Sequence, residues 1–91
     1  HFQKQDLESN NYNWMEDHNR RFTGQPSRRS FDPNNGYQVL FLINFYGSLS
    51  ERFTIGEGKN IEYNIQHNLP PGAKSEISVF NWIRNTVFSL K

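Results

Sequence analysis

Lys59-Asn60-Ile61-Glu62-Tyr63-Asn64-Ile65-Gln66-His67-Asn68-Leu69 carries the strongest pattern in the chain. Ile61, Tyr63, Ile65, His67 and Leu69 alternate with Asn60, Glu62, Asn64, Gln66 and Asn68. A repeat of two puts one set on a covered sheet face and the other in water. A helix would also align Ile61, Ile65 and Leu69, but it would strand Tyr63 and carry three asparagines, which are weak helix formers. The alternation therefore predicts a strand, with His67 half-buried in the apolar register and Glu62 a solvated surface acid.

On the N-terminal side, Tyr37 to Tyr46 is rich in β-branched and aromatic residues, with only Gln38 and Asn44 as polar interruptions. That reads as a central strand covered on both faces. Asn35-Gly36 before it suits a hairpin turn. Gly47 to Ser50 turns into a short strand over Arg52 to Ile55, and Gly56-Glu57-Gly58 turns again. On the C-terminal side, Pro70-Pro71-Gly72 ends the 59–69 segment. Lys74 to Lys91 is open to two readings. As strands, it sets Phe80 and Trp82 on one face and Ile77, Val79 and Ile83 on the other. As a helix over 75–90, Ser75 is the N-cap and Phe80, Ile83, Val87 and Leu90 form one stripe. β-Propensity favours strands.

The expectation is an all-β fold: a small antiparallel meander or sandwich of about five strands. The alternative is α+β with a C-terminal helix over 75–90. Residues 1–36 form a polar, irregular N-terminal arm in this reading, and 37–91 the β domain. A short helix from Leu7 to Asn19 is an option in the arm, whose aromatics Phe2, Tyr12, Trp14, Phe22 and Phe31 are expected to dock on the core. Apolar residues make up 34% of the 91 residues, while aromatics reach 15%, so a few large rings must close the core.

Composition narrows function chiefly by exclusion. The net charge is +1, so no global field draws the chain to nucleic acid or an anionic membrane. There is no cysteine, hence no disulfide framework, thiolate zinc site or cysteine nucleophile. The longest apolar run, Val39 to Ile43, is too short to span a bilayer. His1 in place of Met suggests a removed leader, tag or upstream segment. Compartment is left open. The sequence has no nucleophile elbow, phosphate-cradling glycine loop or zinc-binding helix motif, and no cofactor, metal or catalytic residue is expected. Glu16-Asp17-His18 is too local to converge on an ion.

The remaining candidates are surfaces. Arg20, Arg21, Arg28 and Arg29 lie among aromatics in a pattern suited to phosphates and bases, although acids bracket them. Phe80 and Trp82, sharing a strand face, would need a covering partner. The amides of 60–68 suit sugar hydroxyls or a partner's strand. The expected role is a non-enzymatic structural or assembly module acting through a protein partner or homo-oligomer, with nucleic-acid binding through the Arg20–Arg29 arm and carbohydrate binding as alternatives.

Overall fold

The 59–69 segment is a helix, and the all-β expectation falls with it. The computed structural model describes residues 2–9, 11–14 and 24–87, with side chains to 85. Within them three α-helices form: α1 (Gly36–Leu49), α2 (Ile55–Asn68) and α3 (Glu76–Trp82), the last running on into a π turn at Ile83–Val87. A 3-10 turn at Lys4–Asp6 precedes them. No sheet forms among the described residues; β pairing is confined to isolated bridges, Asn13 with Asn35 and Ser30 with Ser75. The α+β alternative is right only in placing a helix after Ser75.

Each helix start is written in the sequence by a cap. The Asn35 side chain accepts from the N–H groups of Tyr37 and Gln38 at 3.0 and 3.3 Å, so Asn35-Gly36 opens a helix, not a hairpin. Thr54 caps α2 by accepting from the Glu57 N–H at 3.1 Å, and Glu57 adds negative charge to the first turn. Ser75 caps α3 through the Ser78 N–H at 3.2 Å. Pro70 and Pro71, which cannot donate to a helix ladder, follow the end of α2.

Helix overrides the alternating pattern in α2 for two reasons. Ile61 and Ile65, four apart, are both buried, and Tyr63 simply faces water at 59% exposure. The three asparagines are also four apart. Asn64 Nδ2 donates to the Asn60 carbonyl at 2.9 Å and to Asn60 Oδ1 at 3.2 Å, and Asn68 Nδ2 donates to Asn64 Oδ1 at 3.0 Å. Such pairs return about 0.2–0.5 kcal/mol each, against the weak helix propensity of Asn.

The core takes Val39, Leu42 and Ile43 from α1, Ile61 and Ile65 from α2, and Val79, Phe80 and Ile83 from α3 and its extension. Phe2, Tyr12 and Phe31 complete it. The expected docking of the arm is thus met for these three rings and for half-buried Trp14, while Phe22 lies outside the described residues. The described part of the 7–19 segment is not helical: Asn13 instead donates its N–H to the Asn34 carbonyl at 2.7 Å.

Candidate functional site

Two buried carboxylates organise the N-terminal segments. Glu62, expected in water, is 3% exposed. It accepts from the N–H groups of Glu8 and Ser9 at 2.8 and 3.2 Å and from the Tyr12 hydroxyl at 2.7 Å. Gln66, one turn on, donates to Tyr12 Oη at 3.2 Å and to the Pro33 carbonyl at 2.8 Å. Burial first, then the hydrogen bond and charge of Glu62, push the Tyr12 hydroxyl well above its usual range, with Gln66 opposing. The proton stays on tyrosine, where it serves as donor to Glu62.

Glu76, fully buried in the first turn of α3, does the same for residues 27–31. Its carboxylate meets Arg29 Nε at 2.6 Å, Gln38 Nε2 at 2.8 Å and the Ser27 N–H at 3.1 Å. The carbonyls of Arg29 and Ser27 in turn accept from the N–H groups of Glu76 and Ile77, both at 3.0 Å. These helix-start donors have no partner inside the helix. Charge, cap and chain crossing are solved together. The arrangement is a structural clamp: both oxygens of each carboxylate are engaged by the chain itself.

The open feature lies elsewhere. Tyr46, Leu49 and Ser50 at the end of α1 face Phe80 and Arg84 across a groove of about 280 Å³. Phe80 forms its floor, edge-on to Phe45 at 5.1 Å between ring centres. The Arg84 guanidinium lies 6.0 Å above the Phe80 ring centre. Leu49 is 62% exposed at the lip. Burial and the nearby charge of Glu57 raise the Tyr46 hydroxyl's pKa, so that group remains a neutral donor there. The groove lies at the end of a helix rich in apolar residues: Val39, Leu42 and Ile43 are buried, Leu40, Phe41 and Phe45 pack partly buried against the core, and Leu49 is left exposed. The other helices among the described residues cover the C-terminal end of α1 only in part.

Of the candidate partner-binding residues read from sequence, the structure describes Arg28, Arg29, Phe80 and Trp82. Arg20, Arg21 and the Glu16-Asp17-His18 cluster lie outside the described residues. Arg28 is exposed, whereas Arg29 is tied to Glu76 and stacks over Phe41 at 5.6 Å. Phe80 and Trp82 do not share a face, because residues two apart on a helix point to nearly opposite sides. Phe80 lines the groove and Trp82 packs half-buried at the core edge. His67 is exposed, its ring 4.4 Å from that of Tyr63, and is no part of the core. Sequence reasoning missed Leu49, Tyr46 and Arg84. The signal for Leu49 and Tyr46 was the apolar richness of 37–49, which a small chain covers with difficulty; nothing in the sequence pointed to Arg84.

Among the described residues no three His, Cys, Asp or Glu side chains converge as a metal site. None of the described helices is long and apolar enough to cross a membrane. Comparison with protein-family models, with curated proteins and with solved structures finds no match to this chain.

Proposed function

We propose that the protein is a non-enzymatic interaction module whose α1–α3 groove receives an apolar side chain of a protein partner. The observation that carries this reading is Leu49, 62% exposed at the end of an apolar-rich helix and lining a groove with the ring of Phe80. At about 280 Å³ the groove falls just under the roughly 300–1,000 Å³ typical of small-molecule pockets. It suits one or two anchoring side chains of a peptide segment. Arg84 at the rim favours an acidic residue next to the anchor, as charged rims set register and partner choice. The nucleic-acid alternative draws less support, since Arg29 is engaged by Glu76 and only Arg28 of the described arginine pair faces solvent freely enough to meet phosphate.

The absence of cysteine gives a clean test. Leu49→Cys, labelled with a photo-crosslinker, should capture a partner from extract of the source cells. The captured site should map to an apolar residue beside an acid, and the yield should fall when Arg84→Glu is added. A Ser48→Cys control, turned away on the exposed side of α1, reports background. Equal capture from both positions overturns the reading.

A further inference from the structure

The arm from Phe2 to Trp14 is held as a bound peptide is held. Phe2 is 1% exposed, with its ring in the space that a β-carbon on Gly58 would take. The Asn44 side chain pairs with both backbone groups of Phe2: its Oδ1 accepts the Phe2 N–H and its Nδ2 donates to the Phe2 carbonyl, each at 2.9 Å. This is the two-point contact that one strand offers another, made here by a single amide. Glu62 then takes the N–H groups of Glu8 and Ser9, as well as the Tyr12 hydroxyl. At the far end the Trp14 ring lies against Gly36 and meets Tyr37 edge-on at 5.0 Å. The side chains that hold Phe2, Glu8, Ser9 and Tyr12 belong to α1 and α2 and stand 42 to 54 residues away in sequence, whereas Asn13 and Trp14 are met by Asn34, Gly36 and Tyr37, much nearer along the chain. They form a seat with two aromatic sockets and three polar fixing points.

A second copy of the chain carries the same seat and the same arm. We propose that the two are exchangeable, giving a reciprocal dimer in which the Phe2–Trp14 arm of each chain lies on the α1–α2 seat of the other. This deepens the interaction reading by naming a second copy as one partner, and it makes no use of the groove. The contacts are identical within and between chains, so only the tether favours the closed monomer. Covalent linkage of two binding elements is worth an effective concentration of order millimolar. The wild-type dimer therefore appears near that concentration, and exchange of arms is the low-cost, twofold-symmetric route to it.

Complementary variants remove the competition from closure. Phe2→Ala/Trp14→Ala has an intact seat and a disabled arm; Gly58→Leu has an intact arm and a blocked Phe2 socket. Each alone should be monomeric by light scattering. Their equimolar mixture should form a heterodimer at concentrations about tenfold or more below those the wild type needs, since neither chain can close fully on itself. A mixture that stays monomeric into the millimolar range, with both variants helical by circular dichroism, overturns the proposal. If either variant does not fold, a synthetic peptide of residues 2–14 titrated into the wild-type chain decides by NMR. Shifts of the Asn44 side-chain amide support exchange, and an unchanged spectrum at several-fold the tether concentration overturns it. Failure here leaves crosslinking at the groove unaffected, and the reverse holds as well.

Discussion

The two ends of α1 are finished in opposite ways. At its N-terminal half the chain folds back on itself, and Glu62, Glu76, Gln38 and Gln66 meet backbone or side-chain donors and acceptors from residues 8–33. At its C-terminal end Leu49 stands in water beside an unfilled groove. The first region spends polar side chains to bind irregular backbone, because loops that enter a core must have their N–H and C=O groups satisfied. The second spends none. Stability is concentrated in one, and the capacity to meet another molecule in the other.

The contrast breaks most sharply at Glu76. Glu76→Ala leaves Arg29 and Gln38 without their buried partner and uncaps the crossing of residues 27–31. Arg29 is a third exposed and Gln38 keeps the Ser30 carbonyl, so the loss is that of buried hydrogen bonds to a charged group, about 1.5–3 kcal/mol by urea denaturation. A loss under about 1 kcal/mol would mean the clamp is ornamental, since that is the worth of an exposed pair.

Tyr12→Phe probes the same region more gently. It removes one buried hydrogen bond and leaves Glu62 a donor short, an expected loss of about 1–3 kcal/mol at neutral pH. The pH dependence follows from the raised hydroxyl. In the unfolded chain tyrosine ionises near its ordinary 10.0, while in the folded chain it holds its proton to higher pH. The contribution is therefore complete below pH 10 and declines as pH rises through and beyond it. Wild-type stability should fall more steeply above pH 10 than that of Tyr12→Phe, measured by denaturation at successive alkaline pH values.

The smallest effect belongs to the open end. Leu49→Ser alters a side chain with little to lose on either side of the folding equilibrium, and should change stability by no more than about 0.5 kcal/mol. A destabilisation of 2 kcal/mol or so, the worth of a well-buried leucine, would show that Leu49 is covered in solution and would erase the distinction between the two regions.

How much of this was legible in the residues differs along the chain. One cap was, since Ser75 marks the start of α3 in the helical alternative, and the aromatic arm was expected to dock; Asn35 and Thr54 were read as a hairpin turn and part of a strand. The class of fold was not. Ile61, Ile65 and Leu69 fit a repeat of two and a helical spacing of four equally well, so the decision fell to Tyr63 and the asparagines. Asparagine is weak in helices on average, yet three placed four apart bond one another, a local gain that single-residue propensities do not contain. For 37–49 the difficulty was of another kind. A short run this rich in apolar residues shows little periodicity and cannot be told from a buried strand. Glu62 and Glu76 look like surface acids in sequence because their partners come from 38 to 54 residues away. The groove residues of α1 were hidden by the same lack of periodicity.

Gly36 and Gly58 carry one more implication, for how such chains can vary through descent. At each, a β-carbon would occupy the space of an aromatic ring from the arm, Trp14 at the one and Phe2 at the other. Helix propensity alone would favour alanine over glycine inside α2, by about 1 kcal/mol at position 58. The ring and the glycine thus form a linked pair of characters. A lineage that loses the aromatic at position 2 is released to take alanine at 58, and one that keeps it is not, so substitutions at these two sites should be inherited together.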